Sequence, residues 1–257
     1  MKMISFAVKK GGVGKTTLCK NIAYKLALKN KKILLIDLDP QATLSMQMID
    51  DQIKVNNTLI KVIPSPDMIK LDKIIQKTKY KNIDIILGGE SLNKSSDVIK
   101  NFYDEKDRFL IAEYIYKENE YIFDSYDYVL IDYPPTINDL ALNFLLLSDL
   151  IIIPVNDGLG SFKGLIDLKN TLNYICQKEQ RKIGKILITL NNIKSDNNTQ
   201  QINNWIYENK FTELLAKSII KHSKSFINTE NDLSSIWTNP YYWRQKQAYE
   251  ELIAEIL

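Results

Sequence analysis

Arginine is nearly missing from this chain: Arg108, Arg181 and Arg244 stand alone among 34 basic residues. Lysine supplies the rest. Together with abundant Ile and Asn, this reads as the codon bias of an AT-rich genome, so Lys in place of Arg says little about function. Two cysteines, Cys19 and Cys176, cannot form a disulfide framework and lack metal-site spacing. Each is expected to be a core residue. No uninterrupted apolar run reaches the roughly 18 residues of a membrane span. The N-terminus lacks a signal-peptide pattern, since its short apolar start runs into a glycine loop. A cytoplasmic soluble protein is the expectation. Charge of one sign is scarce too: a net +3 does not announce a nucleic-acid binder, nor does it exclude one.

What is present is globular. Hydrophobic residues at 45% and charged residues at 25% argue against wholesale disorder, and 257 residues suit one α/β domain over residues 1–257. Strand-like runs fall at Met3–Val8, Ile33–Ile36, Ile83–Leu87, Tyr128–Ile131, Leu150–Val155 and Ile186–Leu190. Several are continuously apolar, as a parallel sheet covered on both faces requires. Helical patterns follow the glycine loop (Leu18, Ile22, Leu26 and Ala27 on one face). Others fill Asp107–Tyr116, Asp139–Leu147, Phe162–Cys176, Gln200–Tyr207 and Gln245–Ile256. The alternation predicts a doubly wound, mostly parallel sheet with helices on both faces. Asn-rich Asn191–Gln201 reads as a loop after a strand. Ala42–Tyr80 reads as helical, broken by Pro64 and Pro66.

Between the first strand and first helix lies Lys10-Gly11-Gly12-Val13-Gly14-Lys15-Thr16-Thr17. It is a variant of the phosphate-binding P-loop pattern, with Lys10 where the usual motif has its first Gly. Glycines let backbone N–H groups turn inward around phosphates, and the helix adds its positive end. Lys15 is expected to reach the β- and γ-phosphates and Thr16 to hold Mg²⁺. The bland alternative is a glycine turn joining strand to helix.

Carboxylates end two strands. Asp37 and Asp39 stand in Ile36-Asp37-Leu38-Asp39-Pro40-Gln41, and Asp132 ends Tyr128-Val129-Leu130-Ile131-Asp132 ahead of Tyr133-Pro134-Pro135. Strand C-termini are where a doubly wound sheet binds ligand. The apolar run ending in Asp132 is a Walker B pattern, with Asp132 on Mg²⁺ directly or through water. Both earlier aspartates could instead cap the following turn, since Asp-Pro is a common turn starter.

The string from Lys10 to Thr16 resembles the deviant Walker A box of the ParA/MinD superfamily of P-loop ATPases. Asp37-Leu38-Asp39-Pro40-Gln41, Asp132-Tyr133-Pro134-Pro135 and Ile152-Ile153-Pro154-Val155 with Gly164-Leu165 are similar to its later boxes. The resemblance covers most of the chain and departs at Thr136–Leu140. It implies an ATPase using ATP and Mg²⁺. Lys10 would reach across a nucleotide-sandwich homodimer to the partner's phosphates, where a second cation offsets charge developing in phosphoryl transfer. Asp39 would position the hydrolytic water, and Asp37 would support the Mg²⁺ shell or the loop. Asn191, or Asn192, would meet adenine.

No helix-turn-helix pattern precedes the loop, so the resemblance is to the small ParA and Soj proteins that partition plasmids or chromosomes. It implies slow hydrolysis stimulated by a centromere-binding, ParB-like partner. It also implies non-specific DNA binding, placing the dimer on the nucleoid when ATP-bound, through basic residues near the C-terminus: Lys221, Lys224, Arg244 and Lys246 are candidates, with Lys217 nearby. His222 is expected at the surface. Trp237, Tyr241, Tyr242 and Trp243 are expected to pack rather than stack on bases. The competitor is a MinD-like membrane-associated regulator, which needs a basic amphipathic C-terminal helix. Ala248–Leu257 carries three acids and no base, so Leu252, Ile253 and Ile256 are expected to dock on the domain. A third reading is an adaptor whose nucleotide only locks its shape.

Overall fold

The computed structural model describes residues 1–49, 58–194 and 196–257. The elements in order are β1 (Lys2–Phe6), α1 (Lys15–Leu28), β2 (Ile33–Asp37), α2 (Thr43–Met48), β3 (Ile75–Lys77), β4 (Ile83–Ile86), α3 (Ser95–Phe102), α4 (Ile111–Glu118), α5 (Glu120–Phe123), β5 (Tyr128–Asp132), α6 (Asp139–Leu147), β6 (Leu150–Val155), α7 (Leu159–Lys178), β7 (Lys185–Ile193), α8 (Asp196–Glu208), β8 (Leu215–Lys221), α9 (Lys224–Asn231) and α10 (Trp243–Ile256). The strands form one sheet in the order β3-β4-β2-β5-β1-β6-β7-β8. Every pairing is parallel except β3 with β4. The sheet is therefore doubly wound and mostly parallel, as the strand–helix alternation predicts.

Alternation along each strand sorts side chains into two cores. Met3, Leu34, Ile36, Val129, Ile131, Ile151 and Ile153 face one layer, with Phe144 of α6 and Leu165 and Leu168 of α7. Ile4, Phe6, Ile33, Leu35, Leu130 and Ile152 face the other, with Leu18 and Ile22 of α1 and Leu252 and Ile253 of α10. Cys19 is fully buried in this second core, while Cys176 is only half-buried against the first.

The pairing Phe6↔Asp132 and Asp37↔Asp132 fixes what the fold does for the site. The C-terminal ends of β1, β2 and β5 lie side by side, and each leads into one of the candidate loops.

Some sequence expectations change. The helix expected over Asp107–Tyr116 begins at Ile111, because turns closed by Asp107 N on Asp104 O and Leu110 N on Asp107 O occupy the preceding residues. The stretch expected as a loop over Asn191–Gln201 is largely regular. Asn191–Ile193 extends β7 against β8, and α8 starts at Asp196. Of the region expected to be helical, the structure gives short α2, two 3₁₀ turns and β3, with residues 50–57 outside the described set.

Candidate nucleotide site

Gly12 and Gly14 take φ of 73° and 86°, the left-handed region that a Cβ disfavours. Gly14 begins α1 with no side-chain cap and no acid in its first turn among the described residues. The first amides of the helix therefore face the loop with its positive dipole end unopposed. Lys15 is 7% exposed, and its Nζ donates to the Lys10 carbonyl at 3.0 Å. Burial lowers its pKa, and Asp132 and then Asp39 oppose that shift. A cation is thus folded back over the glycine turn. Lys10 itself is exposed, its side chain lying near Gly160 at the start of α7.

Thr16 Oγ1 donates to Asp132 Oδ2 at 2.6 Å. Asp132 is fully buried, and its Oδ1 has no hydrogen-bond partner among the described residues. Burial pushes its pKa up, with the Asp37 charge adding to the shift, while Thr16 and Lys15 work against it. A buried carboxylate oxygen without a partner is costly, and a bound cation or its water would satisfy it. Thr16 and Asp132 thus fit an Mg²⁺ site on the donor set alone.

Asp37 is also buried, and three donors already hold it: Asp39 N at 3.0 Å, Ser45 N at 2.9 Å and Ser45 Oγ at 2.7 Å. Gly88 crosses so closely that an added Cβ would meet Asp37 Cγ at 2.6 Å. Those bonds tie Asp37 to the loop after β2 and to the first turn of α2. Asp39 is half-buried beyond the strand end, where one carboxylate oxygen accepts from Gln41 N at 2.9 Å. That bond is the turn cap the Asp-Pro sequence suggests, and the Asp39 charge is close enough to oppose the fall in the Lys15 pKa.

A cavity of about 230 Å³ continues from the loop, lined by Gly12, Gly14, Thr17, Asn191, Asn192 and, from the C-terminal part, His222, Ser223, Phe226, Ile227, Glu230 and Tyr249. Asn191 Nδ2 donates to Val13 O at 2.7 Å, and its amide fills the space a Cβ on Gly14 would need. Asn192 Oδ1 meets His222 Nδ1 at 2.8 Å, with His222 exposed as expected. Thr17 Oγ1 donates to Glu230 Oε1 at 2.6 Å.

Sequence reasoning missed Ser45 and Glu230. Ser45 carries no motif. Glu230 meets Thr17 across 213 residues of chain, and no periodicity or spacing marks such a contact.

The basic candidates lie in the C-terminal part. Lys221 ends β8 and Lys224 opens α9, both exposed; Arg244 is exposed in the first turn of α10, with Lys246 half-buried after it. Lys217 is exposed on β8. Two aromatics depart from the packing expectation. Tyr241 and Trp243 are 85% and 58% exposed, because they sit where the chain turns into α10, on the side away from the core. Trp237 and Tyr242 pack against the second core as expected. The Arg244 guanidinium lies 5.1 Å from the Trp243 ring centroid.

Comparison with known proteins extends these findings. The model of an AAA-domain family, AAA_31, matches residues 1–186. A virulence plasmid ParA family protein, pGP5-D, from Chlamydia psittaci is 34% identical over 66% of this chain and 62% of its own length. The apo structure of McdA from Cyanothece superposes with a TM-score of 0.84 at 19% identity, covering 100% of both chains. A plasmid partition protein from Borrelia burgdorferi bound to AMPPNP superposes with a TM-score of 0.76 at 22% identity, covering 99% of both.

Proposed function

Since the chain belongs to the ParA/MinD-type partition ATPases, within the AAA_31 family, we propose that it hydrolyses ATP as a nucleotide-sandwich dimer that binds DNA without sequence preference. The observation that carries this reading is the placement of buried Lys15 and the Thr16–Asp132 pair beneath an uncapped helix N-terminus.

Backbone amides from Gly11 to Thr17 and the Lys15 ammonium bind the phosphates of ATP. Thr16 and Asp132 would hold Mg²⁺, which would supply positive charge against the nucleotide phosphates. The AMPPNP-bound partition protein from Borrelia burgdorferi supports ATP as the nucleotide. Asn191 braces the loop at Val13, and the cavity beside it receives the adenosine. Asp39 orients the attacking water through its carboxylate, and Asp37 steadies the loop that carries it. Lys10, exposed at the mouth of the loop, reaches the phosphates of the second copy and stabilises charge there.

DNA is gripped by Lys221, Lys224, Arg244 and Lys246, through phosphate neutralisation that needs only a local basic face. A centromere-binding, ParB-like partner stimulates hydrolysis and releases the dimer, so the protein sits on the nucleoid only while ATP-bound. No described helix is long and apolar enough to cross a membrane. The buried Leu252, Ile253 and Ile256 face of α10 argues against a membrane-surface helix.

The test is Lys15→Ala. Titration with a fluorescent ATP analogue is expected to lose binding, while circular dichroism keeps the wild-type spectrum. Wild-type affinity in a folded Lys15→Ala chain contradicts the assignment.

A further inference from the structure

Lys20 lies one turn after Thr17 on α1, on the same face of the helix. It is fully buried, and its Nζ has no hydrogen-bond partner among the described residues. Burying an unpaired ammonium is strongly unfavourable, so such a group is rarely kept without a use. Its pKa falls to about 8 through burial; Glu230 is the charge that most opposes this, and Lys79 adds to it. Glu230, near the end of α9, is committed elsewhere: Oε1 accepts from Thr17 Oγ1 at 2.6 Å. Both Thr17 and Glu230 line the cavity beside the phosphate loop.

These facts conflict once a polyphosphate arrives. A threonine hydroxyl has one proton to donate. If a phosphate oxygen takes it, Glu230 loses its partner. The Glu230 carboxylate is also left beside an anion in a partly buried cavity, where like charges repel strongly. Among the described residues, Lys20 is the buried cation without a hydrogen-bond partner, and it stands a helical turn from Thr17.

We propose that Glu230 is a positioning residue of the nucleotide site, which holds Thr17 in the nucleotide-free chain and transfers to Lys20 when a nucleotide phosphate engages Thr17. This rests on the nucleotide-binding reading above. Lys20 acts as the receiving cation, so binding converts an unpaired lysine and a hydroxyl-bound carboxylate into a buried ion pair. Neither residue touches the reacting phosphorus atom. They set how readily Thr17 is released to the phosphate.

A suppressor test separates this role from a merely structural one. The dissociation constant of ATPγS with Mg²⁺ is measured for wild type, Lys20→Met, Glu230→Gln and the double variant, with melting curves checking the fold. In Lys20→Met the displaced carboxylate has no cation to meet, so the dissociation constant is expected to rise about tenfold. In the double variant no stranded charge exists, and most of that loss is expected to return. Lys20→Gln replaces Lys20→Met if the latter does not fold.

Unchanged affinity in the lysine variant, or a loss that Glu230→Gln leaves in place or deepens, overturns the proposal. Wild-type chain that binds no ATPγS overturns the nucleotide-binding reading and this proposal together. Binding by wild type, with no weakening in the folded lysine variant, overturns this proposal alone.

Discussion

Asp37 and Asp39 show how much two residues of the same type can differ. Each was legible as a strand-end carboxylate, and the family resemblance gave them separate duties; the bonds that enforce the difference were not legible. Asp37 is fully enclosed, and three donors from Asp39 and Ser45 saturate it. Asp39 is half-buried and, among the described residues, its carboxylate accepts from the Gln41 amide in a turn. A carboxylate locked by three donors cannot readily turn to a water, whereas one at a turn can. Asp39→Ala is therefore expected to leave ATP binding intact and cut turnover by about a hundredfold, the scale of a lost acid–base group. Phosphate-release kinetics beside nucleotide titration check this, and unchanged turnover removes Asp39 from its role. The phosphate loop was readable because glycines, Lys15 and Thr16 sit in consecutive positions. Glu230 and Ser45 were not, because contacts between distant segments leave no mark in local spacing.

Among the elements, the central strands were legible and the edges were not. β2, β5 and β6 are buried on both faces and read as unbroken apolar runs. β8 alternates buried with exposed residues, as an edge strand does, and its polar positions hid it. The structure covers this edge with α10: Glu255 accepts from Lys217 N at 2.8 Å and from Ser218 N at 3.0 Å. α8 was partly hidden for a related reason: it opens on a polar run, and its buried residues among those described, Ile202 and Ile206, are spaced apart. α10 itself places Leu252, Ile253 and Ile256 in the core with at most 3% exposure. Removing Ile253 side-chain atoms should leave a cavity that the packed helix cannot close. Ile253→Ala is expected to cost about 2–4 kcal/mol in urea unfolding. Unchanged stability would mean that α10 is not docked, and would reopen the membrane-surface reading.

At the scale of the molecule, the modest charge of +3 is compatible with the proposed DNA-binding dimer. A protein that grips DNA only as an ATP dimer needs a weak basic surface that dimerisation doubles, not a strongly basic one throughout. The candidate cations fit that plan in their distribution. Lys221 and Lys224 flank the loop between β8 and α9, next to His222 and Ser223, which line the cavity by the phosphate loop. α9 carries both Lys224 and Glu230, so one short helix joins a basic candidate to Thr17. Lysine-rich composition had blurred this surface, because nearly every basic position is lysine whatever its duty.

The most direct measurement is a DNA mobility shift with non-specific duplex across a salt series, in ATP with Mg²⁺, in ADP and without nucleotide. The account predicts retardation with ATP alone, declining steeply as salt rises. Retardation that ignores the nucleotide or the salt would contradict it.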